Sequence, residues 1–520
     1  LQDEWNVVNN FKLTYGIRFD DLMFNNDDIM RNNAIYNLDF GGRHVDTGAW
    51  PKNNIQISPR LGFSWDVFGD HTLKVRGGTG LFAGRIPLVF FTNMPQNSGM
   101  IQNLATATTT YKNGVVNTID PRLANFAGGL VTDVDRIREL LGAPATITPD
   151  QGVVSGDFAG VDHNFKMPQD WKTSIAIDYQ IPVSFPLTVT GEFTYSRHIN
   201  DIMLENYNIK PIDESWSRLI GADNRVIYPK DYKYNPTYTD ASGNTKTFTG
   251  MAAMLTNTHR GYGWTANVTV NAEPIKDLRL MAAYTHTVNK RVSGMPGSNA
   301  SSAWTSLYTV DGPNHPTVQN VPTVIPDRII ANISYKYGKE HFSVFYQGYR
   351  PGGYSFYYGS DINGDNNNYD LMYIPRDDRE IKFASDDDRI AFWEFVEQDS
   401  YLRNHKGEYA EAYSAFAPWV HKIDFRWAHD FDLKVGNTKH KLQISADIQN
   451  IGNLFNSKFG VEKVMTNNSC NAGKILSVKS IDNGVPVFNT NVAKGASTYE
   501  YSNSNYQCWK LQVGVKYFFN

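Results

Sequence analysis

The sequence lacks an apolar run long enough for a transmembrane helix, which needs about 20 predominantly apolar residues. The longest uninterrupted apolar run is residues 86–91, and it contains Pro87. Only helices and closed β-barrels satisfy their backbone hydrogen bonds in lipid. The chain is therefore either soluble or a membrane β-barrel.

Cysteine is scarce, since Cys470 and Cys508 are the only two among 520 residues. Two cysteines exclude a disulfide framework, although one bridge can form in an oxidising compartment. The sequence leaves two alternatives open: a Cys470–Cys508 disulfide or two free thiols.

An excess of basic charge is also missing, because 49 Lys and Arg residues face 53 Asp and Glu residues. This balance argues against a nucleic-acid partner. Neither a Gly-x-Ser-x-Gly elbow nor a His-Glu-x-x-His motif is present, and the 12 His are scattered, so an enzyme is not expected. Aromatic residues, by contrast, make up 13% of the chain, which suits the interfacial girdles of a membrane barrel.

The clearest pattern is the strict alternation of residues 509–519. Six residues form an apolar face, and four polar or small residues form the other: Trp509, Leu511, Val513, Val515, Tyr517 and Phe519 against Lys510, Gln512, Gly514 and Lys516. Alternation with period two is typical of a β-strand, and about ten such residues can cross an outer membrane. Taken alone, this stretch fits an amphipathic strand of a soluble sandwich equally well.

Similar segments recur along the chain and predict one cut strand followed by twelve complete strands. They span residues 1–5, 11–20, 55–66, 72–82, 171–180, 186–199, 261–271, 277–289, 326–337, 341–350, 421–432, 441–450 and 509–519. Several inward-facing positions carry charge: Lys74, Arg76, Lys172, Asp178, Lys422, Asp424, Arg426, Lys441 and Asp447. Such charges are costly in a soluble core but expected in the lumen of a barrel. We therefore predict an all-β, antiparallel transmembrane β-barrel.

The connections alternate between short and long without a break. The long ones are residues 21–54, 83–170, 200–260, 290–325, 351–420 and 451–508. Outer-membrane barrels have short periplasmic turns and long extracellular loops, and bacterial single-chain barrels have an even number of strands. We expect extracellular long loops and a periplasmic C-terminus. The chain has no initiator Met and no signal peptide, so we also expect it to be the C-terminal part of a longer protein.

Several motifs together resemble the TonB-dependent outer-membrane receptors, and in particular their Oar-like branch. The resemblance spans nearly the whole chain and rests on the order and spacing of segments 1–5, 13–20, 57–66, 76–82, 84–87, 361–365, 373–375, 407–410, 417–419 and 447–454. It implies a 22-stranded barrel with an N-terminal plug and a TonB box, of which residues 1–520 would be the last 12–13 strands, without the plug and the N-terminal domains. It also implies that the TonB complex is a partner.

One loop resembles the first half of a calcium-binding loop. Asp361, Asn363, Asp365, Asn367 and Asp370 place side-chain oxygens at positions 1, 3, 5, 7 and 10, and the first three with Asp370 are the candidate calcium ligands. The pattern departs from a calcium loop at position 6, where Asn366 replaces Gly, and at position 12, where Met372 replaces Glu. The alternative is a polar turn, because Asn, Asp and Gly favour turns. Calcium is the one cofactor that the sequence suggests.

The function expected from this resemblance is capture of a ligand by the extracellular loops and import through a plug-gated barrel. The alternative is an outer-membrane scaffold or adhesin that binds other proteins through its large surface loops. Partners would be outer-membrane lipid and either a surface lipoprotein or another protein. Nine loop aromatics are candidates for ligand contact or for packing within the loops: Trp50, Tyr207, Trp216, Trp304, Tyr354, Phe356, Tyr357, Trp393 and Trp419.

Overall fold

The computed structural model describes residues 1–101, 109–126, 129–142, 146–154, 156–240, 243–436 and 438–519. Within them, thirteen strands follow one another through a single antiparallel sheet, each paired with the next along the chain. The strands are Gln2–Val8, Phe11–Leu22, Asn54–Asp66, Leu73–Ala83, Gln169–Gln180, Leu187–Asn206, Gly261–Ile275, Leu278–Arg291, Asp327–Tyr337, Glu340–Tyr349, Val420–Val435, Thr438–Gln449 and Lys510–Phe518. The predicted strand positions and their antiparallel order are confirmed.

The connections alternate as predicted. Two-residue links follow Val8, Ile275 and Tyr337, whereas the links on the opposite edge are residues 23–53, 84–168, 207–260, 292–326, 350–419 and 450–509. We call these six long connections the cap. Within the described residues, the first and last strands of the sheet do not pair with each other, so the sheet is open. The total of 22 strands stays a prediction.

One face of the sheet is apolar across its whole width. Trp5 lies opposite Leu13 near one end, and Ile444 lies opposite Val515 near the other. Ile175, on a central strand, is 48% exposed. A soluble monomer rarely exposes an apolar surface of this extent, so this face fits contact with lipid.

The opposite face is polar and carries ion pairs. Arg76 donates to Asp178 at 3.1 Å and to Glu192 at 3.4 Å across three strands. Arg426 donates to Asp447 at 2.7 Å. All of these residues except Glu192 are among those predicted to face inward. A charged face of this kind is expected to line a water-filled or plug-filled barrel interior.

The glycine-rich segment of the fourth strand has a structural explanation. A Cβ atom at Gly78 would lie 2.9 Å from the Leu61 carbonyl oxygen, and one at Gly80 would lie 2.7 Å from that of Pro59. The glycines therefore permit close approach of neighbouring strands.

The buried core lies in the cap rather than in the sheet. Three clusters of buried apolar side chains occupy it, with Phe91, Leu255 and Trp304 in the first, Phe356, Phe392 and Leu476 in the second, and Ile35, Phe158 and Phe248 in the third. Each cluster joins side chains from at least two long connections. The cap is consequently a folded body with its own core.

Short helices and strands build the cap. Its α-helices are Asn33–Tyr36, Val89–Asn97, Val134–Leu140, Ala300–Thr305, Asp386–Gln398, Ser400–Asn404, Ile451–Phe455 and Asn467–Cys470. Its strands are Thr109–Lys112, Val115–Ile119, Phe158–Val161, Thr237–Thr239, Thr245–Thr247, Ala252–Thr258, Gln319–Asn320, Gly353–Tyr354, Tyr373–Ile374, Lys382–Phe383, Glu408–Tyr409, Ala415–Phe416, Lys463–Val464, Leu476–Asp482, Val485–Thr490 and Glu500–Tyr501. Within the described part of the chain, no helix is long and apolar enough to cross a membrane.

The sixth strand of the sheet is longer than predicted. Leu187–Asn206 continues well beyond residue 199, because its last six residues, 201–206, pair with the cap strand Ala252–Thr258. In another part of the cap, the helices Asp386–Gln398 and Ser400–Asn404 are separated at Asp399, whose Oδ1 accepts a hydrogen bond from the Leu402 amide and caps the second helix.

Candidate functional site

Three predicted carboxylates come together at one point of the cap. Asp361, Asp365 and Asp370 each place an oxygen within 4.8 Å of the others. Asp365 and Asp370 are buried, whereas Asp361 is half-buried. The cluster therefore has a buried side and a side open to solvent.

The polar side chains of the loop fold its backbone around the cluster. Asp361 Oδ1 accepts from the Gly364 amide at 2.7 Å, and its Oδ2 accepts from the Asn366 amide at 2.8 Å. Asp365 Oδ1 accepts from the Asn367 amide at 2.7 Å. Such side-chain to backbone bonds are typical of Asp and Asn in turns. These hydrogen bonds fix the backbone of residues 361–367 in turns around the carboxylates.

Asn366 adopts the conformation that a calcium loop requires of its sixth residue. Its φ is +67°, in the left-handed region that Gly enters most easily and Asn tolerates. In the sequence, the replacement of Gly by Asn366 is a departure from a calcium loop. In the structure, Asn366 nevertheless has the backbone conformation that Gly would supply.

Asn363 has a different role from the three carboxylates. Its Oδ1 accepts from the Asp365 amide at 3.0 Å, and its Nδ2 donates to the Val310 carbonyl at 3.5 Å. The Asn363 carbonyl itself accepts from the Tyr228 amide at 2.7 Å. Asn363 thus connects the acidic loop to two other long connections.

A buried arginine lies beside the cluster. Arg225 Nε donates to Asp223 Oδ1 at 2.9 Å, its Nη2 donates to the Leu371 carbonyl at 2.6 Å, and its Nη1 lies 3.4 Å from Asp370 Oδ1. Asp223 also accepts from the hydroxyls of Tyr358 and Tyr409, at 2.8 and 3.0 Å. Asp223 and Arg225 thus form a buried ion pair at the base of the site, in which Arg225 Nη1 contacts Asp370 without a hydrogen bond.

The carboxylates repel one another in this buried setting. Burial and the Asp361 carboxylate raise the pKa of Asp365 to about 7. Burial and the Asp365 carboxylate raise the pKa of Asp370, although Arg225 opposes this shift. A positive charge at the site would relieve this repulsion.

Neither Arg225 nor Asp223 could be predicted from the sequence, because both lie in another long connection, residues 207–260, without a periodic pattern. A second acidic segment lies in the same long connection as the carboxylate cluster, residues 350–419, but its carboxylates are exposed and paired. Asp377 pairs with Arg379 at 2.5 Å, and Asp386 pairs with Arg389 at 3.2 Å at the start of a helix. These exposed groups are compensated by arginines and by the helix N-terminus.

Both cysteines are free thiols in the structure. Cys470 is buried, with its Sγ 3.4 Å from the Thr498 carbonyl oxygen, and Cys508 is exposed directly before the last strand. Burial raises the pKa of the Cys470 thiol. Of the two alternatives open from the sequence, the structure favours the free thiols.

Most of the loop aromatics pack within the cap. Trp304, Phe356 and Tyr357 are buried, and Trp50, Tyr207, Trp216, Tyr354 and Trp393 are partly buried. Trp419 is 37% exposed and is the best placed of the nine to meet a ligand in solvent. For the buried members the packing interpretation is confirmed.

A cleft of about 320 Å³ opens where the polar face of the sheet meets the cap. Its lining combines basic, acidic and aromatic side chains: Arg18, Lys52, Arg85, Lys166, Asp20, Asp21, Phe24, Phe91 and Phe165. A concave site of this size with a few polar groups is suited to a small ligand. The sequence did not predict it, since its lining comes from four separate segments.

A family model described as an outer membrane beta barrel domain matches residues 1–338, well over half of the chain. The chain belongs to the outer membrane β-barrel domain family. This outer membrane β-barrel protein thus resides in the outer membrane, where the apolar face of its sheet meets lipid. No curated protein matches the chain.

Three solved structures are similar to this outer membrane β-barrel protein at very low sequence identity. The outer membrane transporter YddB from Escherichia coli is 11% identical, with a TM-score of 0.41, over 98% of this chain and 43% of that one. The ferric enterobactin receptor PfeA from Pseudomonas aeruginosa is 7% identical, with a TM-score of 0.42, over 100% and 44%. The siderophore receptor PirA from Acinetobacter baumannii is 10% identical, with a TM-score of 0.39, over 100% and 45%. The chain spans less than half the length of these proteins.

Proposed function

We propose that this protein is a TonB-dependent outer-membrane receptor that captures a ligand at its cap and imports it through a plug-gated barrel. In this orientation the cap is extracellular, the short turns and the C-terminus are periplasmic, and the TonB complex acts through a segment N-terminal to this chain. The family assignment supports the membrane barrel, and the sequence resemblance to Oar-like receptors supports the mode of transport.

The observation that carries the proposal is the cleft between the polar face of the sheet and the cap. A ligand held there would lie above an interior face lined by paired charges such as Arg76 with Asp178. A scaffold that only binds other proteins needs no such internal cleft. Four basic side chains outnumber the two acidic ones in the lining, although Arg18 is paired with Asp20. The excess of basic groups favours a ligand with negative charge or polar oxygens.

The test compares uptake by strains that carry the wild-type gene, no gene, a gene without its TonB box, and two point variants. Arg85→Glu reverses a charge in the cleft, and Lys479→Glu makes the same reversal on an exposed strand of the cap. Depletion of medium components is measured by mass spectrometry.

We expect at least one component to be depleted by the wild-type and Lys479→Glu strains and retained in the medium by the other three. Equal depletion by the strain without the gene contradicts import. If surface proteins are lost while depletion is unchanged, the scaffold function is supported instead.

A further inference from the structure

The acidic loop holds more negative charge than its surroundings compensate. Among the described residues, Arg225 is the one basic side chain paired with the cluster, and it is shared between Asp223 and Asp370. Neither Asp361 nor Asp365 forms an ion pair with a basic group in the described part of the chain. Within the described residues, two carboxylates are thus left without an ion-pair partner.

Asp365 supplies the second, independent observation. Its side chain is only 4% exposed, and its Oδ2 is buried without any hydrogen-bond partner. The other oxygen, Oδ1, is already used by the Asn367 amide. A buried polar atom is nearly always satisfied in folded proteins, so an unpartnered carboxylate oxygen in an acidic cluster points to a bound cation.

We propose that Asp361, Asp365 and Asp370 bind one calcium ion that fastens three long connections of the cap together. All three ligands are hard carboxylate oxygens, which Ca²⁺ prefers, and the cluster contains no His or Cys that would favour a softer metal. The half-buried Asp361 gives the ion a path from solvent. This site is independent of the proposed transport role.

The backbone around the cluster explains why an ion here would order the cap. The Tyr228 amide donates to the Asn363 carbonyl at 2.7 Å, which joins residues 207–260 to the loop. The Leu371 amide donates to the Thr309 carbonyl at 2.8 Å, which joins residues 292–326 to it. Without the ion, the repelling carboxylates strain these links. With the ion, the same carboxylates become ligands that hold them.

Terbium luminescence is the direct test, because Tb³⁺ occupies calcium sites and is excited through nearby tyrosines. The Tyr232 hydroxyl donates a hydrogen bond to the Asp365 carbonyl at 3.1 Å. This tyrosine is therefore close enough to the site to transfer excitation energy to Tb³⁺. The protein is purified from outer membranes in detergent. Calcium and magnesium are then titrated against Tb³⁺, with calcium up to about 10 mM, above the range of weak extracellular sites.

The matched variants are Asp365→Asn, Asp361→Asn and Asp387→Asn. The first two neutralise ligands with nearly isosteric amides, and the third neutralises an exposed carboxylate of the helix Asp386–Gln398. Heat-modifiable migration on gels checks that each barrel is folded. Asp361→Asn keeps the test valid if the buried variant fails to fold, because Asp361 lies at the open side of the site.

We expect one Tb³⁺ per chain, displaced by calcium and much less by magnesium. Either ligand variant should lower the calcium affinity by more than about tenfold, since even outer-shell partners of metal sites have effects of this size. Asp387→Asn should bind as the wild type does. The proposal is overturned if the wild type binds no calcium, if magnesium displaces Tb³⁺ equally well, or if both ligand variants bind normally.

Discussion

The Nη1 atom of Arg225 lies 3.4 Å from Oδ1 of Asp370, and this contact joins two long connections that are far apart in the chain. Arg225 is buried, so its charge depends on the neighbouring carboxylates rather than on water. Burial acts to lower the pKa of Arg225, but Asp223, Tyr358 and Asp370 outweigh burial and raise it. The arginine therefore remains charged and organises the base of the acidic site.

Replacing Arg225 with Met should destabilise the cap. The substitution leaves Asp223 and Asp370 buried without their cation, a change that costs about 3–5 kcal/mol for buried ion pairs. Native-state hydrogen exchange of the cap amides measures this loss directly. The sheet residues that pair only with other strands of the sheet should keep their protection.

The matched control is Arg379→Met, which removes the exposed ion pair with Asp377 in the connection that also contains Asp370. Exposed pairs contribute little because solvent screens them. Protection in the control should equal that of the wild type. Equal protection in the Arg225 variant would show that the pair with Asp370 is not important for the stability of the cap.

Acid should stabilise the calcium-free cap through Asp365. Burial and Asp361 raise the pKa of Asp365 from 3.8 to about 7, whereas the unfolded chain keeps the lower value. The folded cap then binds the proton more tightly, so its stability is greatest at low pH and declines as the pH rises through about 7. Hydrogen bonds to Asn367 and Asn363 and the charge of Arg225 oppose this shift of the Asp365 pKa, and Asp370 and Tyr228 are the other titratable groups that interact with Asp365.

Thermal unfolding of the cap in metal-free buffer at pH 5 and pH 8 measures this effect. We expect the higher midpoint at pH 5 in the wild type. Asp365→Asn removes the titrating group and should reduce the difference between the two midpoints. An unchanged difference in that variant would assign the pH response to other groups.

The sheet could be predicted from the sequence, but most of the site could not. Strand residues such as Val513 and Val515 alternate with Lys510 and Gln512 because one face of each strand contacts lipid and the other faces the interior. This alternation can be recognised within a single short segment of the sequence. The carboxylates of the acidic loop also share one short segment. Arg225 has no such signal, since its contacts depend on how two loops meet in space.

Labelling of the two cysteines tests both whether they are free thiols and which side of the membrane the cap faces. Cys508 is exposed at the cap edge, so a membrane-impermeant maleimide should label it on intact cells. Cys470 is buried, with its thiol pKa raised, and should react only after denaturation. Mass spectrometry of labelled peptides distinguishes the two sites, and Cys508→Ser should abolish labelling of intact cells.

If neither cysteine reacts before a reductant is added, the disulfide alternative replaces the free thiols. If Cys508 reacts only in broken cells, the cap faces the periplasm and the proposed orientation is reversed. Labelling of Cys508 on intact cells supports both the free thiol and the extracellular cap.

The two faces of the last strand should respond oppositely to a positive charge. Val513 lies on the apolar face, opposite Ala446, and Gln512 lies on the polar face, opposite Asp447. Arginine on the lipid face near the bilayer midplane costs about 2–4 kcal/mol in membrane barrels, whereas a charge facing the interior is tolerated. Val513→Arg should therefore reduce the heat-modifiable, folded band in outer-membrane fractions, and Gln512→Arg should leave it at the wild-type level. Equal amounts of folded protein for both variants would contradict the assignment of the Trp509 to Tyr517 face to lipid, because neither substitution would then place a charge in the hydrocarbon.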